Sequence, residues 1–177
     1  MRLNIAFSLI VLSLVILFIY GIKRNNNFIN IFKIVTDHFK IFDGARKHII
    51  VLYVVPIITA TGISIIYTFS DSMVEAIMVV ISVVISALLS FQGGILNMES
   101  QKNDGIKKVV LEETNASINF TVLINIILVF FMLIYVAIDN IIFRTIFTSI
   151  ISYILLITFL TIMIIIKRIR ILFKQGD

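Results

Sequence analysis

Residues 145–170 read TIFTSIISYILLITFLTIMIIIKRIR. Twenty-two positions pass without a charged side chain, and three cations then arrive within four residues. As a helix, those 22 residues rise about 33 Å. That exceeds the roughly 30 Å of hydrocarbon in a bilayer. Only Ser and Thr interrupt the run, and both can satisfy their hydroxyls within a helix. The closing Lys167, Arg168 and Arg170 suit a headgroup layer.

The same pattern recurs upstream. Apolar stretches over about 5–22, 49–69, 74–92 and 116–138 join the one over 143–166. The whole chain is 60% hydrophobic and 14% charged. Soluble domains average roughly 45–50% and 25%. A 20.1 kDa globule could not hide that much apolar surface, and disorder needs the opposite composition. The expected fold is an all-α integral membrane protein: one membrane domain over 1–177 with about five transmembrane helices. The stretch 5–22 reads as a retained anchor, because it is longer than a signal-peptide core and no A-x-A-like site follows.

Charge position gives orientation. Thirteen of the fifteen Lys and Arg residues fall in 23–47, 92–115 and the tail after Ile166; Arg2 and Arg144 are the exceptions. The positive-inside bias therefore predicts N-out, C-in in the cell membrane. The basic excess answers to topology and to an anionic inner leaflet. It does not point to nucleic acid, since no soluble basic domain carries it. The outer turns at 70–72 and 139–140 are short and acidic. Turns that short predict two antiparallel hairpins, the second span on the third and the fourth on the fifth.

The cytoplasmic segment 28–42 reads FINIFKIVTDHFKIF. Phe28, Phe32, Val35, Phe39 and Phe42 recur at steps of four and three, which marks one helical face. Asn30, Lys33, Asp37 and Lys40 mark the other, and Asp43-Gly44 ends the helix. This is an amphipathic interfacial helix able to lie on the inner leaflet or to dock on a partner. His38 beside it reads as a solvated or headgroup-level side chain. In the loop 93–115, Gly93-Gly94 is expected to end or bend the third span. Asp104-Gly105 then turns into a helical extension over 106–115, and Glu112, Glu113 and Asn115 sit at the membrane rim.

Polar groups inside spans matter because hydrocarbon offers them no partner. Ser82, Ser86 and Ser90 repeat every four residues, as a packing face or a pore face. Ala60 and Ser64, with Gly62 between them, have the small-xxx-small spacing of close helix contacts. Asn125 is expected to hydrogen-bond across a helix interface, and Pro56 to kink the second span. Arg144 is expected to pair with Glu75 or to reach headgroups beside Asp139.

No catalytic constellation is present. The chain has no cysteine and only two histidines, which excludes thiolate chemistry and a histidine-rich metal centre. No HExxH, GxSxG or phosphate-cradling glycine loop occurs. Neither cofactor nor metal is expected, and the chain reads as a non-enzyme. In size and topology it resembles small multi-span bacterial proteins encoded beside a soluble partner, including membrane components of phage-defence systems. That resemblance transfers no residue. The leading expectation is a membrane anchor, sensor or scaffold that engages a soluble cytoplasmic protein or itself as a homo-oligomer. The alternatives are an oligomeric pore-forming or depolarising effector and a small-molecule transporter subunit.

Overall fold

The computed structural model describes residues 30–44, 46–99 and 105–174, with Leu12 and Ile16. The rest of the 5–22 stretch and Phe28 lie outside the described residues. Among those described, the structure is all-helical, with five helices. Helix α1 is Ile31–Lys40. Helix α2 covers 46–66, as a short α turn (Arg46–Ile49), a π segment (Ile50–Val54) and an α-helix (Val55–Ile66). Helices α3 (Asp71–Glu99), α4 (Gly105–Val136) and α5 (Ile141–Lys174) follow. Helices α2 to α5 are each long and apolar enough to cross a membrane.

The core follows a seven-residue period. Val74, Ile81, Leu88 and Ile95 are the buried positions of α3. On α4, besides Ser117 and Phe120, the buried positions pair as Leu111/Thr114, Ile118/Thr121, Asn125/Leu128 and Met132/Tyr135. Ile151, Thr158 and Ile165 keep the same step on α5. A 3.5-residue repeat holds one seam of each helix against its neighbour, as in left-handed coiled coils. The opposite faces carry exposed Ile58, Ile65, Ile66, Val79, Val83, Phe159 and Met163. Water would not tolerate an apolar exterior of that extent on a monomer, whereas lipid tails suit it.

Helices α4 and α5 are longer than a bilayer core is thick. At 1.5 Å per residue, α5 is about 51 Å long and α4 about 48 Å. Their surplus lies on the side of the basic residues: α5 continues from Ile166 to Lys174, and α4 begins at Gly105, ahead of its uncharged run. Helix α3 passes through Gly93-Gly94 and reaches Glu99, so the helix does not end there. Each glycine costs about 1 kcal/mol against alanine. The turns on either side are held by buried Leu88 and Ile95, which outweighs that penalty.

Pro56 acts through the turn before it. Its ring has no N–H and collides with the carbonyl four residues back in a regular helix. Here the Val55 N–H reaches back five residues to the Ile50 carbonyl, and the widened π turn accommodates the ring.

The two tight turns behave differently. Helices α4 and α5 pack directly, as their turn predicts. Helices α2 and α3 do not: α2 packs on α5 and α3 on α4, so the order across the bundle is α2, α5, α4, α3. The reason is the conformation of 67–70. Tyr67 is extended (φ −146°, ψ 139°), and four extended residues can span about 13 Å. They form a strap across the end of the α4–α5 pair. Phe69 is buried in the core cluster of Val74, Leu128, Met132 and Ile151. The Tyr135 hydroxyl donates to the Phe69 carbonyl. Arg144 fastens the same end. Its Nη2 lies 2.5 Å from Asp71 Oδ1 and its Nε donates to the Ile138 carbonyl at 2.8 Å. Its guanidinium carbon sits 5.0 Å from the Tyr135 ring centre. The partner of Arg144 is thus Asp71, the first residue of α3, in place of Glu75 or headgroups.

Candidate functional site

The basic end of the bundle gathers the polar side chains that sequence left scattered. Helix α1 packs on α4 there. Asn30 caps it, accepting from the Lys33 amide at 2.8 Å, and Gly44 (φ +86°) supplies the left-handed turn that leads the chain into α2. His38 is the buried residue of α1, only 1% exposed. Its ring stacks on Phe120 of α4, with centres 4.0 Å apart and planes 3° from parallel. Phe42 and Phe39 meet it edge-on at 5.5 and 5.8 Å. Nε2 shares a 2.6 Å hydrogen bond with the Tyr53 hydroxyl, from the π segment of α2, and Nδ1 is buried without a partner. Burial, and then the Arg168 charge, lower the His38 pKa from 6.5 to about 4.

His38 therefore overturns the expectation of a solvated side chain. The buried face of α1 is rotated relative to the expected aromatic stripe. Phe42 is buried and Val35 and Phe39 are half-buried, but Phe32 is 56% exposed. A four–three pattern of aromatics defines a stripe about one residue wide of the true contact, and a histidine central to that contact looks polar on paper.

Beside this pocket, Gln92 of α3 donates through Nε2 to Oδ1 of both Asn115 and Asn119 on α4, each at 2.8 Å. Arg168 of α5 pairs with Glu113 of α4. Asn115 and Asn119, four residues apart, were the available signal for this contact, because such a pair shares a helix face. An open groove of about 880 Å³ runs between α1 and α4. One stripe of α1, including Lys33, Asp37 and Lys40, forms one wall. Glu112, Asn115 and Asn119 stand on the other.

Within the spans, Asn125 is fully buried. Its Nδ2 donates to the Thr121 carbonyl at 2.8 Å, and its Oδ1 accepts from Thr158 Oγ1 of α5 at 3.2 Å. Pro56, Ala60 and Ser64 are the buried face of α2, which packs on α5, while Gly62 is exposed. Ser82, Ser86 and Ser90 face outward from α3. The first two hydroxyls donate to carbonyls four residues back, at 2.9 Å. Among the described residues the three side chains are exposed and take no part in packing. Among the described residues no group of three His, Asp or Glu side chains can hold a metal ion.

The chain matches no protein-family model, no curated protein and no solved structure.

Proposed function

We propose that this chain is a multi-pass protein of the cell membrane, with its N-terminus outside and its basic end in the cytoplasm. It serves as a non-enzymatic anchor, sensor or scaffold for a soluble partner or a second copy. The observation that carries this reading is the asymmetry of the bundle. Apolar faces clothe its length, and the helices project beyond bilayer thickness at one end only, where α1 is docked as an added polar layer. A projecting, laterally braced platform suits protein contact. The test is crosslinking and pull-down of the tagged full chain in mild detergent, read by mass spectrometry. A stoichiometric partner or a homo-oligomer, lost when exposed Phe32 and Lys33 are both replaced by Glu, supports the reading. A monodisperse, partner-free monomer in several detergents overturns it.

A second reading has its own observation. The outward Ser82/Ser86/Ser90 face of α3 supports assembly into an oligomeric, membrane-depolarising pore. A potential-sensitive dye after induced expression tests it. Depolarisation that survives Ser86→Leu rules out this face as the path.

A further inference from the structure

The groove between α1 and α4 has polar atoms left over. Lys40 is engaged with Asp37 at 3.1 Å, and Glu113 with Arg168. Among the described residues Lys33 has no ion-pair partner. Among the described residues Glu112, on the facing wall, has Lys108 as its one ion-pair partner, at 3.9 Å, with both side chains more than half exposed. Contacts of that kind contribute little. Asn115 and Asn119 spend their carbonyl oxygens on Gln92, which leaves both amide NH2 groups as donors. One wall therefore offers an ammonium, and the other offers two amide donors beside a carboxylate. Three donors suit the oxygens of a phosphate, and the carboxylate suits a primary ammonium.

The groove also lies at a telling depth. Asn115 is the last residue before the apolar stretch of α4 over about 116–138, and Asn119 lies one turn inside it. That is the headgroup level of a bilayer in which α4 is a span. We propose that this groove binds a phosphoethanolamine group. Lys33 and the Asn115 and Asn119 amides hold the phosphate, and Glu112 accepts from the ammonium. Opposite charges on the same ligand explain why one groove keeps an unpaired cation and a loosely held anion on facing walls. An anionic headgroup without an amine would meet Glu112 with repulsion. The inference rests on the reading that α4 spans a membrane.

The experiment uses the purified full chain in detergent, with added lipid read by native mass spectrometry and by thermal unfolding. Phosphatidylethanolamine is expected to be retained and to raise the unfolding temperature more than phosphatidylglycerol. Glu112→Gln should remove that preference, and Lys33→Gln should weaken retention about tenfold, as for loss of one charge-assisted contact. Lys33→Arg should retain most binding, and both positions are exposed enough for the variants to fold. Soluble glycerophosphoethanolamine separates the sources. Competition at equal concentration assigns the site to a free ligand, and its failure assigns it to the lipid. Equal retention of both lipids, or a preference unchanged by Glu112→Gln and Lys33→Gln, overturns the proposal. Because binding is read in detergent, it can fail while cysteine labelling in cells still places α4 across the membrane, and the reverse also holds.

Discussion

At the scale of the residue, the interior of this bundle is decided by a few polar side chains. His38 must be neutral to lie against Phe120 beneath the Arg168 charge. Its folded pKa of about 4 is below its ordinary 6.5. The unfolded or undocked state therefore binds more protons in that interval, and docking strengthens as pH rises. The contribution of His38 is complete above pH 6.5 and is lost as pH falls toward about 4. A fluorophore pair on α1 and α4 should report close approach at pH 7 and progressively more separation below pH 6. His38→Phe keeps an aromatic on Phe120 and should flatten that pH profile. Asn125 works by geometry alone. Asn125→Val removes the acceptor of Thr158 and should destabilise the α4–α5 contact by about 1 kcal/mol, within the 0.5–2 range for such bonds in membranes. The check is the denaturant midpoint in detergent.

At the scale of the element, the helices were legible because long uncharged runs have few alternatives. The pairing of α4 with α5 was legible too, from a turn too short for anything else. What the sequence concealed was contrast. Where nearly every side chain is apolar, hydrophobic periodicity no longer marks the inward face. The seven-residue step of Val74, Ile81, Leu88 and Ile95 stands among equally greasy neighbours. The more visible four-residue step of Ser82, Ser86 and Ser90 points away from the core. The strap at 67–70 was hidden for another reason. A short turn fixes the distance between two helix ends but leaves open whether another element lies between them. Phe69 and its carbonyl hold the strap down. Tyr135→Phe leaves that buried carbonyl without its donor, a loss of about 1–3 kcal/mol. It should lower the unfolding temperature in detergent and quicken proteolysis at 67–70, while α1 stays docked.

At the scale of the whole molecule, the bundle is polarised. One end is closed by Arg144, Asp71 and Tyr135, and the other projects as a polar platform. Single cysteines tell which end faces the cytoplasm, with no native thiol to confuse the labelling. Positions 72 and 139 should react with an impermeant maleimide on intact cells, and positions 33 and 108 only after lysis. The reverse pattern would invert the proposed topology. The spatial order of the helices also bears on how the chain is made. Helices α2 and α3 leave the ribosome before α4 and α5, yet they do not touch, because the last two helices stand between them. On the proposed membrane reading, the early pair waits in the bilayer as an open slot, tethered by a four-residue strap. Completion comes only when the C-terminal pair wedges in. A nascent chain halted before residue 141 would expose two unmatched flanks to whatever other helix drifts past.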